Sequence, residues 1–394
     1  MKKTNRLTLL FSILEGSFFI GIFFVEGLFS SYLSDFGYKD SFIGLALMST
    51  GIACIIFQPL FGFLVDKFCN IKTIFLCVIA VLAVSMPIFF KYSDVKAVVI
   101  VYSALSVGSL KSLTGVLDSW ISKLQKQGVV LDYGKLRSVG SISYAIAAVV
   151  FGQLLAMLGN SFSAVCVVVL SAIMAPIVAM LPNPEKSEKA EMVTLLHSLG
   201  YLFSNKAYLI FLGCAILSQL TSQAAFSFYP ILIKSFGGGV GEVGFAYFVM
   251  AASEFLVILN FTKISKRFGA TRLLGMGYIG YFVKSFILSI VPTLALALAA
   301  SSLQAISFAF VIPGAVAYLY DNIDRKYLAS AQLLYQTVCA SLMQIFASPV
   351  YGNVSQKIGV QKMLGVFSVF ALVGGVLFLI MAGRKKHVRE DLQV

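Results

Sequence analysis

Seven charged residues interrupt apolar stretches of the sequence, each long enough to form a membrane-spanning helix. Arg137 begins one such stretch, and the other six residues lie well inside theirs: Glu15, Glu26, Lys111, Asp118, Glu254 and Lys284. A charged side chain at the centre of a lipid-embedded helix costs about 2.5–3.5 kcal/mol on insertion scales. These side chains therefore need partners. They could form structural ion pairs, or they could bind a polar solute or a proton.

The spacing of Lys111 and Asp118 predicts the direction of both side chains. The two residues are seven positions apart, and seven steps of 100° return to within about 20° of the same direction. Both side chains should project from one helix face, about 10.5 Å apart along the axis, which is too far for a direct ion pair. Each needs partners on other helices or in a cavity, and this favours a polar cavity over a closed pair.

Glu26 is a candidate proton carrier in the middle of the first apolar stretch. Apolar surroundings disfavour the charged form of a glutamate, so this side chain could load and release a proton near neutral pH. The alternative is an ion pair with Lys111, and the two roles can coexist if a solute competes for Lys111. Glu15 precedes Glu26 by eleven residues, or three turns. It could line a path with Glu26, or it could extend towards the membrane surface.

The composition indicates that lipid covers much of this chain. Hydrophobic residues are 59% of the 394 residues and charged residues are 12%, whereas soluble domains have roughly 45–50% and 25%. Mean hydropathy is +0.92. The six cysteines contain no C-x-x-C pair, so we expect no disulfide framework, no metal site and no cofactor.

The apolar stretches predict an all-α membrane protein with twelve transmembrane helices. The first stretch follows basic residues, as in a signal peptide, but it continues to about residue 33 without a cleavage site, so we interpret it as a span. The predicted spans are 8–33, 41–65, 73–91, 96–122, 137–158, 162–182, 207–234, 241–262, 271–291, 294–320, 327–351 and 361–383.

One of the two longer connections, 183–206, divides the predicted spans into six and six; the other is 123–136. This division predicts an N-terminal six-helix bundle over 1–182, a cytoplasmic linker over 183–206, and a C-terminal six-helix bundle with a short tail over 207–394. Two six-helix halves are typical of an internal parallel repeat. An amphipathic segment within the linker predicts a short helix over 194–203 at the membrane surface.

The distribution of basic residues predicts the orientation of the chain. If the N-terminus is cytoplasmic, the cytoplasmic connections and tails carry 22 of the 30 lysines and arginines, and the outer connections carry six. Positive charge collects on the cytoplasmic side, so both termini should lie there. The same distribution argues against nucleic acid as a partner, because the basic residues are spread along one membrane face.

The segment Phe57-Gln-Pro-Leu-Phe-Gly-Phe-Leu-Val-Asp-Lys-Phe resembles the G-x-x-x-D-[RK]-x-G loop signature of the major facilitator superfamily. The resemblance makes Gly62, Asp66 and Lys67 the gating loop, which would help to close the cytoplasmic side. Cys69 stands where the second glycine of the signature usually lies. A second copy, Lys266-Arg267-Phe268-Gly269, lacks the acid.

A second resemblance, to the lactose permease and its oligosaccharide–proton symporter relatives, covers Asp118 to Tyr144. Its residues are Asp118, the run Tyr133-Gly134-Lys135-Leu136-Arg137, and Tyr144. The resemblance implies that Asp118 and Arg137 bind sugar hydroxyls and that Tyr144 stacks on the solute. Lys111, which the helical spacing puts on the same face as Asp118, is a further candidate for binding the solute. This chain has aspartate for the family's glutamate and tyrosine for its tryptophan, and both changes argue against a lactose-like solute.

The coupling residues of that family match less well. Glu254 is similar to a glutamate that couples sugar to proton, and Lys284 lies near the family's arginine on span 9. These two could also be a structural pair. Gln304 and Ser307 stand where the family has its proton-handling histidine and glutamate, and neither titrates. If this chain couples to protons, the resemblance and the residues leave Glu26 or Glu254 as the carrier.

Together these features predict a secondary transporter in the cell membrane that moves a sugar or a similar hydroxyl-rich solute by alternating access and proton symport. We expect a monomer whose partners are a small-molecule substrate, the proton and the bilayer. The alternative within transporters is proton-driven efflux of drugs or hydrophobic cations. An enzyme is disfavoured because the sequence has no nucleophile–histidine pairing, metal cluster or nucleotide loop, and a sensor is disfavoured because neither tail could fold into an output domain.

Overall fold

The computed structural model describes residues 2–184 and 195–391, and it describes side chains over 6–65, 67–184 and 197–381. Regular structure in these residues is helical throughout. Twelve helices are long and apolar enough to cross a membrane, which confirms the predicted fold class. Their bounds agree with the predicted spans to within seven residues, and the largest differences are at the ends of spans 8 and 11, which continue to Phe268 and Ile358. The agreement follows because a bilayer requires a fixed length of apolar helix.

Spans 1–6 are Arg6–Asp35, Asp40–Val65, Ile71–Lys91, Lys96–Lys126, Tyr133–Leu158 and Phe162–Met180. Spans 7–12 are Lys206–Ser235, Val240–Phe268, Ala270–Ile290, Leu294–Asn322, Leu328–Ile358 and Val360–Met381.

The chain divides into two compact units. Unit 1 is Met1–Glu188 with Gly237–Phe248, and unit 2 is Lys189–Phe236 with Val249–Val394. In unit 1, span 1 packs on spans 5 and 6, and span 3 packs on span 6. In unit 2, span 7 packs on spans 11 and 12, and span 9 packs on span 12. The same pairings thus recur six spans later, as an internal repeat requires. The first part of span 8 belongs to unit 1 by its contacts.

The turns between the first two spans of each half also repeat. Gly37 follows span 1 and Gly237 follows span 7, and their φ angles are 78° and 80°. A residue with a side chain is strained at such φ angles. Glycine therefore lets the chain reverse direction between two helices within a few residues.

Four spans depart from α-helical geometry near their centres. Spans 1, 4 and 11 contain π-helical turns at Phe23–Gly27, Ser103–Val107 and Thr337–Leu342, and span 10 contains a 3₁₀ segment at Ser301–Ile306. Irregular turns of this kind often mark functional sites. Glu26 lies in the first turn and Gln304 in the 3₁₀ segment, so both belong to backbone that the regular helix period does not describe.

The linker contains a helix at Leu195–Ser204, where the sequence predicts one over 194–203. Leu202 is fully buried in the core of unit 2. Tyr201 stacks on Tyr327 with ring centroids 4.1 Å apart, and the Tyr327 hydroxyl lies 3.2 Å from His197 Nδ1. The helix is therefore held against the loop between spans 10 and 11.

Substituting Gly280 by alanine should destabilise unit 2. A Cβ at Gly280 in span 9 would collide with the carbonyl oxygen of Ile306, which belongs to the 3₁₀ segment of span 10. Overpacking of this kind costs about 1–3 kcal/mol. We expect a lower midpoint of thermal unfolding, measured by circular dichroism in detergent.

The matched control is Gly213→Ala in span 7, where a Cβ meets nothing within 4 Å. Alanine is the better helix former by about 1 kcal/mol, so this variant should be as stable as the wild type or more stable. Equal midpoints for the two variants would show that spans 9 and 10 are not packed as closely as the structure has them.

Candidate functional site

Charged and polar residues of spans 1, 4 and 5 in unit 1 form two tiers. We call the first the Glu26 tier (Glu26, Lys111 and Tyr144). Lys111 Nζ lies 2.9 Å from Glu26 Oε1, and each side chain is about one quarter exposed. Glu26 lies in the π-helical turn of span 1, in which the amide of Leu28 donates to the carbonyl of Phe23, five residues back, at 3.1 Å. This turn presents Glu26 to span 4. The ion pair considered from the sequence is therefore present.

Tyr144 lies beside the turn that carries Glu26. A Cβ at Gly27 would lie 2.9 Å from the Tyr144 hydroxyl oxygen, and the Tyr144 ring meets Phe23 edge-on at 5.8 Å. The Tyr247 hydroxyl, also in unit 1, donates to the carbonyl of Gly27 at 3.0 Å. The aromatic side chain expected to stack on a solute thus packs against the glycine next to the ion pair.

The second group is the Glu15 tier (Glu15, Asp118, Tyr133 and Arg137). The Tyr133 hydroxyl donates to Asp118 Oδ1 at 3.1 Å. The Arg137 guanidinium lies over the Phe19 ring, 4.5 Å from its centroid, and its Nη1 is buried without a hydrogen-bond partner among the described residues. Arg137 is the cation that acts electrostatically on both Glu15 and Asp118. An acceptor and a five-donor guanidinium therefore share one tier.

Glu15 is fully buried, and neither of its carboxylate oxygens has a hydrogen-bond partner in the described structure. The idea that Glu15 extends to the membrane surface is wrong. Spans 1 and 5 approach too closely for that at this level: a Cβ at Gly16 would lie 2.9 Å from Ser143 Oγ, and one at Gly140 would lie 2.6 Å from the Phe19 ring. The sequence singled out Glu15 only by its spacing of eleven residues from Glu26. That spacing does not predict which residues of other helices surround Glu15.

The four residues predicted to bind solute are divided between the tiers. Lys111 and Tyr144 lie in the Glu26 tier, and Asp118 and Arg137 lie in the Glu15 tier. The separation is seven residues on span 4 and seven on span 5, or about 10.5 Å of helical rise. The predicted common face of Lys111 and Asp118 agrees with this arrangement, since Lys111 contacts Glu26 of span 1 and Asp118 contacts Tyr133 of span 5.

In unit 2, Gln304 bridges the two charged residues of spans 8 and 9. Lys284 Nζ donates to Gln304 Oε1 at 2.6 Å, and Gln304 Nε2 donates to Glu254 Oε2 at 3.4 Å. Lys284 is only 6% exposed. Glu254 and Lys284 are thus linked through an amide. The sequence identified Gln304 only as a position that cannot titrate, and its bridging role was missed.

The remaining predicted positions make few contacts. Ser307 donates to the carbonyl of Leu303 at 3.0 Å, within its own helix. Gly62 lies in span 2, where an added Cβ would meet nothing within 4 Å, and Lys67 Nζ lies 5.1 Å from the Phe63 ring centroid. Asp66 is outside the described side chains. Among the described residues, no group of three or more histidine, cysteine, aspartate or glutamate side chains could hold a metal ion.

Replacing Gln304 by leucine should destabilise unit 2. The change leaves Lys284 and Glu254 without their bridging amide, and buried polar groups that lose a partner cost about 1–3 kcal/mol, with more for charged groups. We expect a lower midpoint of thermal unfolding in detergent.

The control is a triple variant, Glu254→Leu, Lys284→Met and Gln304→Leu. Removing a whole buried ionic network is often neutral or stabilising, whereas removing one member is not. If the single variant unfolds at the wild-type temperature, Gln304 does not bridge the two charges.

The chain matches a protein-family model described as the MFS_1 like family over residues 18–342. It is 23% identical to a maltose permease of Geobacillus stearothermophilus over 383 residues, 95% of each chain. It is 22% identical to a melibiose permease of Enterobacter cloacae, covering 89% of this chain and 88% of that one. It is also 22% identical to YwbF, an uncharacterized transporter of Bacillus subtilis, covering 94% and 92%.

Solved structures share the fold. The nucleoside transporter NupG superposes with a TM-score of 0.79 at 18% identity and covers 97% of this chain and 99% of its own. A bacterial homologue of the lysosomal transporter Spinster superposes with a TM-score of 0.67 at 12% identity, covering 96% of both chains. These relatives and structural neighbours are transporters and not enzymes. With its twelve spans, this chain belongs to the MFS_1 like family and is a multi-pass cell-membrane transporter of the major facilitator type.

Proposed function

We propose that this transporter carries a sugar or a similar hydroxyl-rich solute by alternating access, and that a proton moves with the solute. The observation that carries the proposal is the Glu15 tier, where Asp118 and Arg137 are both partly exposed on consecutive spans. A hydroxyl group donates to a carboxylate and accepts from a guanidinium, so a solute with several hydroxyls complements this pair.

The Glu26 tier supplies the second part of the proposed solute site. The Lys111 ammonium has three donors and lies 2.9 Å from Glu26 Oε1, so it can also donate to a solute hydroxyl, and a solute that draws the ammonium away from Glu26 would weaken the ion pair. Solute binding would then leave Glu26 with less opposing charge and a greater affinity for a proton. Tyr144, which packs on the same turn, offers a ring face to the solute.

Glu254 is the other proposed coupling carboxylate, and Lys284 is its counter-charge. The Gln304 amide can release either Lys284 or Glu254 and keep its hydrogen bond to the other residue. The two charges can therefore respond separately to protonation. Asp66 and Lys67, with Gly62, are proposed to act as the cytoplasmic gating loop, and the monomer is proposed to be the working form.

The names of the relatives support the solute class. Two are permeases for maltose and melibiose, and a structural neighbour transports nucleosides. These solutes differ in shape, but all carry a hydroxylated ring. An aspartate–arginine pair offers one acceptor and one set of donors. It therefore suits a hydroxylated ring better than it suits a hydrophobic cation.

The test is uptake by proteoliposomes that contain the full chain. Labelled maltose, melibiose and uridine are supplied separately, with an inside-alkaline pH gradient, without one, and with a protonophore. We expect at least one of these solutes to accumulate only with the gradient. Extrusion of ethidium with no uptake of any hydroxylated solute would contradict the proposal and would favour drug efflux.

A further inference from the structure

The embedded charges of unit 1 do not balance. Spans 1, 4 and 5 contain three carboxylates well within the membrane region and two cations: Glu15, Glu26, Asp118, Lys111 and Arg137. In unit 2, Glu254 and Lys284 are one of each. An uncompensated charge inside the membrane is costly. One bound proton would bring the embedded groups of unit 1 to neutrality.

The contacts distinguish the three carboxylates. Glu26 has the Lys111 ammonium at 2.9 Å, and Asp118 accepts a hydrogen bond from the Tyr133 hydroxyl at 3.1 Å. Glu15 has neither a hydrogen bond nor an ion pair among the described residues, and both of its oxygens are closed to water. Of the three, Glu15 is the carboxylate whose negative charge nothing stabilises by direct contact.

The packing around Glu15 leaves little choice of ligand. Buried polar atoms normally have a protein or water partner. A water molecule or a solute hydroxyl needs room beside the oxygens, and the oxygens have no exposed surface. A proton needs no additional volume, and it removes the large cost of burying an unpaired carboxylate.

We propose that Glu15 is a proton-binding site and that it holds its proton in the conformation described here. The proposal rests on the proposed proton coupling, and it adds a carrier that is separate from Glu26 and Glu254. With Glu15 neutral, Asp118 balances the charge of Arg137. When the site opens, the O–H bond of Glu15 breaks, the proton passes to water, and the resulting carboxylate pairs with Arg137.

Few other groups can influence this site. Span 4 contributes Asp118, and span 5 contributes Tyr133 and Arg137. Span 6, Phe162–Met180, also packs on span 1, and Cys166 is its one titratable residue. Span 3 meets span 1 through an aromatic contact of Phe75 with Phe18. Arg137 is therefore the cation that can take the place of the proton.

The test is infrared difference spectroscopy of the full chain in lipid during a pH titration, without any solute. A protonated carboxyl group has its own carbonyl stretch, which shifts in deuterated water. We expect Glu15→Gln to lose one such band, whereas Glu26→Gln and Glu254→Gln keep it. Glu15→Asp should move the band and retain its intensity, which keeps the test valid if Glu15→Gln folds poorly.

A Glu15→Gln spectrum identical to the wild-type spectrum at every pH would overturn the proposal, and so would an unmoved band in Glu15→Asp. Because the measurement needs no solute, it separates the two proposals. A band that depends on Glu15, with no gradient-driven uptake of maltose, melibiose or uridine, would reject the proposed function and retain the proton site. Gradient-driven uptake with no such band would do the reverse.

Discussion

Asp118→Asn should lower proton-driven uptake by about 10- to 150-fold, measured as initial rates in proteoliposomes with the solute that the wild type accumulates. The substitution keeps the size of the side chain and removes its charge beside Arg137 and Tyr133. Hydrogen bonds to charged groups contribute about 1.5–3 kcal/mol, which corresponds to this range. Arg137→Lys should have a similar effect, because lysine keeps the charge but lacks the planar fork of donors.

The matched control for this prediction is Asp94→Asn. Asp94 lies in the connection between spans 3 and 4 and is exposed, so the same chemical change occurs outside the membrane. Its uptake should equal that of the wild type. Uptake that survives both Asp118→Asn and Glu26→Gln unchanged would show that Asp118 does not bind the solute and that Glu26 does not carry the proton.

Gly244→Val should destabilise unit 1 by about 3 kcal/mol or more, near or above the upper end of the usual cost of overpacking. A Cβ at Gly244 in span 8 would collide with the carbonyl oxygen of Ala148 and would lie 3.1 Å from the Cα of Gly152, both in span 5. These atoms are backbone and cannot rotate away. Separating the helices should also break the hydrogen bond from Tyr247 to Gly27, so transport should fall as well.

Trp120 provides the measurement for this variant. It is the one tryptophan in the sequence, it is fully buried in unit 1, and its Nε1 donates to the carbonyl of Pro182 at 3.0 Å. Its fluorescence during thermal unfolding therefore reports on unit 1. Gly115→Val is the control, because a Cβ at Gly115 in span 4 meets nothing within 4 Å. A Gly244→Val midpoint no lower than that of Gly115→Val would contradict the close packing of spans 5 and 8.

The resemblance to sugar symporters matches the residue types of spans 4 and 5 more closely than those of span 10. Asp118 and Arg137 lie in one tier, as that resemblance implies. Gln304 stands where the family has a titrating histidine, and in this chain it joins Glu254 to Lys284 through a neutral amide. The roles of all these residues in binding and coupling are proposals that the variants above can test.

The amino-acid sequence by itself determined the class of structure and the positions of the twelve spans. Water is absent from the bilayer core, so each crossing must be a long apolar helix, and its length is set by the membrane. The helical period also determined that Lys111 and Asp118 share a face, because that depends only on their separation along one regular helix.

The partners of the charged residues were decided by the tertiary structure. The period of a helix gives the relative directions of its own side chains, but it does not say which neighbouring helix each one meets. Glu15 and Arg137 are far apart in sequence and come together only because spans 1 and 5 pack closely. The irregular turns in spans 1 and 10 add a second reason, since they shift Glu26 and Gln304 off the regular period and so decide which spans these side chains face.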